Sequence, residues 1–182
     1  MIKQNTDRTD EQLMCDYKQG EAAAFDALYQ RHKGGLYRYF TRQLDGQTAL
    51  AHEMYQEVWM RVIQARERYE ATALFTTWLY HIAHNILIDH WRSQRPHDSI
   101  DEHEETLQSN THTPDIMIEH HMTATRLKQA LVNLPRDQLN AFLLKEEGNF
   151  SLEDIASITG TTRETVKSRL RYAMDKLRSA LS

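Results

Sequence analysis

Apolar residues recur at helical spacing along most of this chain, and nowhere does a sustained alternation of apolar and polar residues suggest a strand. With only three prolines and no internal repeat, that pattern predicts an all-α fold. A short helix is expected after Asp10, and a long one from about 21 to 44 with Phe25, Leu28, Tyr29, Leu36, Tyr39 and Phe40 on its apolar side. Gly46 and Gln47 break it. Further helices are predicted over about 48–66 and 76–93, the second capped by Thr76 or Thr77.

The stretch RPHDSIDEHEETLQSNTHTPD is acidic, rich in His, Ser and Thr, and nearly free of apolar residues. Such a composition cannot bury enough surface to offset the entropy of ordering, so residues 96–122 read as a flexible acidic linker. An ordered surface loop is the alternative, though a loop of this length is unusual inside one compact domain. Two small helical domains are therefore expected, 1–95 and 123–182. The second should hold four helices, over about 123–134, 136–147, 151–159 and 163–180. Ser151 with Asp154, and Thr161 with Glu164, have the spacing of helix-starting capping boxes. The last two helices, joined at Gly160 and Thr161, make this a four-helix domain with a candidate helix-turn-helix.

A net charge of −4 argues against a nucleic-acid partner until it is divided by position. Residues 97–122 carry no Lys or Arg against seven acids, whereas 123–182 carry ten basic residues against seven. Six of the ten fall within 163–178, on one predicted helix, and local charge matters more for phosphate contact than the total. Cys15 stands alone, so no internal disulfide is expected. The first residues have neither the basic start nor the apolar run of a signal peptide, and no stretch is apolar enough to span a bilayer. A cytoplasmic location without membrane insertion is expected.

On the last helix, Val166, Leu170, Ala173 and Leu177 share one side, and Glu164, Lys167, Ser168, Arg171 and Asp175 share the other. Helix-turn-helix geometry puts the start of such a helix in the major groove, where Lys and Arg donate to guanine and Glu accepts from cytosine. Lys167, Ser168 and Arg171 are the expected readers, with Arg163 and Glu164 at the entrance. An ordinary amphipathic helix with a solvated charged face would give the same pattern.

Over 48–66, Ala51, Met54, Tyr55, Val58, Val62 and Ala65 form one face, leaving Glu53, Gln56, Glu57, Met60 and Gln64 opposite. The polar face is either simply solvated or a docking surface. On the next helix, Leu79, Ile82, Ala83 and Ile86 share one side, while Trp78, His81, Asn85, Asp89 and Arg92 make a separate stripe. An aromatic ring, an amide, a histidine and an arginine together suit unpaired bases, because rings stack on them and amides read their edges. Packing of Trp78 against a neighbouring helix is the competing reading.

These motifs together resemble the extracytoplasmic-function (ECF) sigma factors of the sigma-70 family, over about 10–95 and 123–181. The C-terminal half is similar through Leu134-Pro135, Asp154-Ile155-Ala156 and Thr165-Val166-Lys167-Ser168-Arg169. ALAHEMYQEVWMRV resembles the family's polymerase-binding helix, with His52 where an acid is more usual. Trp78, Leu79, Ile82, Ala83, Asn85, Asp89 and Arg92 match its promoter-melting helix. The resemblance implies core RNA polymerase and promoter DNA as partners, and an anti-sigma factor as a further one. It implies polymerase contact through Glu53, Gln56, Glu57 and Met60, and −35 contact through Arg163, Glu164, Lys167, Ser168, Arg171 and Tyr172. For capture and melting of the −10 element it implies Tyr69, Phe75, Trp78, His81, Asn85, Asp89 and Arg92. Where relatives often have Arg-Ala-Arg, this chain has Tyr172-Ala173-Met174.

Other readings are poorer. His52-Glu53-Met54-Tyr55-Gln56 lacks the second histidine of a zinc-protease motif, and His81 with His84 has no companion ligands in sequence. Gly34-Gly35 lacks the pattern of a phosphate loop. No cofactor, metal, small-molecule substrate or catalysis is expected. The main alternative is a stand-alone helix-turn-helix transcriptional regulator.

Overall fold

Eight α-helices account for nearly all the ordered secondary structure of the computed structural model, which describes the backbone of residues 7–94 and 118–181 and the side chains of 7–94 and 125–181. They are α1 (Asp10–Lys18), α2 (Ala22–Gln43), α3 (Thr48–Ala65), α4 (Phe75–Ser93), α5 (Ile118–Val132), α6 (Arg136–Gly148), α7 (Leu152–Thr159) and α8 (Arg163–Leu181). A 3-10 turn, Arg66–Arg68, follows α3. No strand occurs among the described residues. Of the range read as linker, residues 96–117 lie outside the described residues, and α5 begins at Ile118, five residues inside its far end.

The helix ends follow local chemistry. α1 starts with a capping box: the Thr9 side chain accepts from Gln12 N–H, and the Gln12 side chain accepts from Thr9 N–H. α6 runs through Gly148 and stops at Asn149, which takes the left-handed conformation at φ 50°, a conformation Asn tolerates better than most side chains. Gly148 is required for a different reason. A Cβ there would lie 2.0 Å from the Phe150 ring, which is tucked beneath the helix end.

In the N-terminal half, α1, α2, α3 and α4 enclose Leu13, Leu28, Leu36, Phe40, Val58, Phe75, Leu79 and Leu87. Each side chain of this size contributes roughly 1.5–3 kcal/mol on full burial. In the C-terminal half, α6, α7 and α8 bury Leu143, Leu144, Ile155, Ile158, Val166 and Ala173.

The two halves also pack on each other, α2 against α6 and α4 against α7. The seam is polar at its centre. Asn140 of α6 is buried, and its Oδ1 accepts from Tyr39 Oη at 2.8 Å and Gln43 Nε2 at 2.9 Å. Its Nδ2 lies 3.1 Å from His84 Nδ1, so His84 is the acceptor of that bond and is unprotonated at Nδ1. The Tyr80 and Phe150 rings meet edge-on at 5.0 Å. Arg38 and Arg42 both pair with Glu147, and the Arg136 guanidinium lies over Trp91 at 5.0 Å.

Candidate nucleic-acid interface

α4 begins at Phe75 rather than after Thr76 or Thr77, and its N-cap residue, Leu74, has no capping side chain. Thr77 is instead buried, with its hydroxyl 3.4 Å from Asp154 Oδ1 of the C-terminal half. The carboxylate of Glu11, from α1, accepts the Phe75 N–H at 2.7 Å and so does what a local cap would do.

The aromatic residues at this end form one cluster. Trp78 lies edge-on to Tyr69 at 5.1 Å and tilted to Phe75 at 5.7 Å. Tyr69 and Phe75 are buried and Trp78 is partly buried, so of the three rings it is chiefly Trp78 that offers surface to solvent. Beside the cluster opens a cleft of about 530 Å³ whose lining includes Arg61, Gln64, Arg68, Tyr69, Thr72 and Trp78. That volume accommodates a small aromatic heterocycle. Gln64 belongs to the polar face expected over 48–66, whereas Arg61 and Arg68 are additions; their spacing on one face running out of α3 is the signal that could have found them.

Further along α4, His81, Asn85, Asp89 and Arg92 are all exposed on the stripe that Trp78 begins. Leu79, Ala83 and Ile86 are buried on the other side, and Ile82 is half-buried. The stripe therefore runs away from the cleft over solvent-facing surface. His84, one residue from it, points into the seam. Burial in that seam holds its pKa down to about 4.

On α3, Glu53, Gln56, Glu57 and Met60 are exposed, while Ala51, Met54, Tyr55, Val58, Trp59 and Val62 are buried. Met60 is 50% exposed, and Ile63, which the sequence reading passed over, adds a second apolar side chain at 40%. Gln56 Nε2 lies 3.0 Å from His52 Nε2, and Glu57 pairs with Arg61 at 2.8 Å.

The helix-turn-helix is formed by α7 and α8. Ser151 and Asp154 make the expected capping box at the start of α7. Gly160 ends it at φ 64°, and Thr161 N–H donates back to Ala156 O at 3.0 Å. α8 is capped by Thr162 rather than Thr161: its Oγ1 accepts from Thr165 N–H at 3.2 Å, while Thr161 Oγ1 lies 3.0 Å from Thr159 Oγ1. Val166, Ala173 and Leu177 are buried, which turns Glu164, Lys167, Ser168, Arg171 and Tyr172 to solvent. The Arg171 guanidinium rests on the Tyr172 ring at 5.0 Å. Arg163 is held by Glu153 at 2.6 Å and lies 3.4 Å from Glu164. Arg169 turns back to Asp137 and braces the domain.

Two helical half-domains, the second ending in a helix-turn-helix, are the architecture of a sigma-70-type initiation factor, and the comparisons place the chain in that class. The Sigma-70 region 2 model matches residues 28–97 and the Sigma-70 region 4 model matches residues 124–177. The RNA polymerase sigma-H factor of Pseudomonas aeruginosa is 32% identical, with 97% of this chain and 95% of that protein covered. The ECF sigma factor SigL of Mycobacterium tuberculosis is also 32% identical, covering 88% of this chain and 90% of its own length. Among solved structures, CnrH in complex with the cytosolic domain of CnrY superposes with a TM-score of 0.70 at 19% identity, covering 94% of this chain and 96% of that one. The sigma factor RpoE bound to the anti-sigma factor NepR from Bartonella quintana gives 0.59 at 23% identity, covering 84% and 94%. The chain belongs to the ECF sigma factors of the sigma-70 family. It binds core RNA polymerase and directs promoter-specific transcription initiation.

Proposed function

We propose that the work is divided between the two halves: residues 1–95 hold polymerase and melt the −10 element, and 123–182 hold the −35 element, with 96–122 between them. In this reading Glu53, Gln56, Glu57 and Met60 dock on core polymerase. Tyr69, Phe75 and Trp78 take up a flipped −10 base, and His81, Asn85, Asp89 and Arg92 guide the strand that follows. Arg163, Glu164, Lys167, Ser168, Arg171 and Tyr172 face the −35 major groove. The protein does this in the cytoplasm and without catalytic chemistry of its own.

The observation that carries the reading is the continuity of one surface. The partly exposed Trp78 stands at the edge of a cleft large enough to take a base, and the exposed stripe His81, Asn85, Asp89 and Arg92 leads from it. Extruding a base costs a few kcal/mol, and stacking on an aromatic face returns about 1–3 kcal/mol per base. Permanganate footprinting of open complexes tests it. Trp78→Ala and Asn85→Ala should lower thymine reactivity in the bubble while leaving polymerase binding intact, and unchanged reactivity in both would rule the assignment out.

An anti-sigma factor is a further partner under this reading, supported by the likeness to CnrH and RpoE, each solved with a bound protein partner. Affinity purification of the tagged chain from cells grown under several conditions tests it. No stoichiometric partner under any condition would remove it.

A further inference from the structure

Helix α1 precedes the stretch matched by the region 2 model, and no role has been given to it. It grips the segment 69–75 at both ends. Lys18 Nζ donates to the Tyr69 carbonyl at 3.0 Å, across 51 positions of sequence. Glu11 Oε1 accepts the Phe75 N–H at 2.7 Å, across 64. Both bonds are charge-assisted, and the second sits at the N-terminus of a helix with no cap of its own, where an anionic group is favoured.

Between these anchors the segment has little to hold it. Residues 70–74 are exposed, Leu74 to 56%, so no apolar side chain pins the loop to the core. Its one backbone hydrogen bond inside that span is Thr72 N–H to Glu70 O at 2.8 Å. The Tyr69 ring is buried and lies edge-on to Phe75 at 6.3 Å and to Trp78 at 5.1 Å. Glu70 and Thr72 meanwhile form part of the cleft wall beside Trp78.

α1 is itself fixed to the body. Arg8 pairs with Asp16 and Glu21, and Asp10 pairs with Arg31 and His32 of α2. The His32 ring in turn lies 5.6 Å from Phe75. Side-chain pairs from α2 to α1, and hydrogen bonds from α1 to the backbone of Tyr69 and Phe75, therefore connect α2 to both ends of the cleft wall.

We propose that Glu11 and Lys18 are positioning residues that set the shape of the base-capturing cleft and thereby the base it accepts. Neither touches DNA. They act by fixing the ends of a loop too short and too exposed to fix itself. The inference rests on the reading of that cleft as the −10 base pocket.

The test is run-off transcription by the holoenzyme from a promoter pool randomised across the −10 element, with transcript counts giving the base preference at each position. Glu11→Ala, Lys18→Met and Lys18→Arg are compared with a loop variant, Glu70→Ala with Thr72→Ala, and polymerase affinity and thermal midpoint are measured for each. Glu11→Ala and Lys18→Met should flatten the preference at one −10 position by up to about tenfold, the scale of a single lost base discrimination, with polymerase affinity unchanged. Lys18→Arg should restore it. If the loop variant alters base preference and the two α1 variants do not, the positioning role is wrong while the pocket stands. If neither the loop nor the α1 variants alter it, both fail. A uniform loss of output across all bases, tracking a lower thermal midpoint, would show that α1 only stabilises the fold and would overturn the proposal.

Discussion

The hydroxyl of Tyr39, in the N-terminal half, donates to the Oδ1 of Asn140, in the C-terminal half, at 2.8 Å and away from solvent. The two residues are 101 positions apart. With Gln43 on the same oxygen and His84 on the amide nitrogen, Asn140 is the centre of the seam that closes the halves onto each other. Asn140→Ala removes the common partner and strands Tyr39 and Gln43, where an unsatisfied buried polar group costs about 1–3 kcal/mol. Urea unfolding should show a loss of this order, and small-angle scattering should show a larger radius of gyration.

On the proposed division of labour, with one half on each promoter element, the closed arrangement cannot read both at once. Elements centred near −10 and −35 are roughly 25 base pairs apart, about 85 Å of duplex, whereas a compact chain of this length has a radius of gyration of about 16 Å. The seam must open on the promoter. Dyes on cysteines introduced at Asp45 and Ser179, both exposed and in opposite halves, with Cys15 replaced by Ser, should move apart when core polymerase and promoter are added. An unchanged transfer efficiency would contradict this.

Acid should loosen the same seam. His84 Nδ1 accepts from Asn140, so a proton there sets donor against donor, and burial holds the His84 pKa down to about 4 from 6.5. His81 and Arg169 also disfavour that proton and Asp137 favours it, but burial dominates. A histidine held neutral in the fold and free to protonate outside it stabilises fully above about pH 6.5. That stability is lost as pH falls from there toward 4, by about 1.4 kcal/mol per unit. His84→Gln should flatten this part of the stability profile, measured by denaturant unfolding between pH 7 and 5.

At the −35 element the exposed Arg171 and Lys167 should behave differently. Arg171→Ala is expected to weaken holoenzyme binding by roughly 1–3 kcal/mol and to relax preference sharply at one base pair, while Lys167→Ala, which removes a compact point charge rather than a planar two-pronged donor, should relax preference less at its own base pair. Binding titrations on promoters substituted at each −35 position separate the two.

Much of this was legible in the residues. The periodicity of α3, α4 and α8 placed Met54, Val58, Leu79, Ala83, Val166 and Leu177 inside, because one-sided burial leaves a direct trace in sequence. It placed Glu53, Gln56, Asn85 and Lys167 outside for the same reason. What periodicity does not encode is contact between distant polar groups. Nothing near Asn140 or His84 marks them as partners, and His84 invited comparison with a metal ligand when its neighbour is an amide. The start of α4 is hidden for a similar reason: the group that satisfies it is Glu11, 64 residues earlier, so neither Thr76 nor Thr77 marks the helix end. Thr161 was taken for a cap that Thr162 provides, since adjacent threonines differ there only in backbone geometry.

Reconstituted run-off transcription tests the central claim most directly. Core RNA polymerase is incubated with the full chain and a pool of genomic promoter fragments, and transcript 5′ ends are mapped. Defined start sites that require the chain, share −10 and −35 elements upstream, and disappear with Trp78→Ala are the expected result. Specific binding of the free chain to duplex DNA, with no new start sites in the presence of core polymerase, would contradict it.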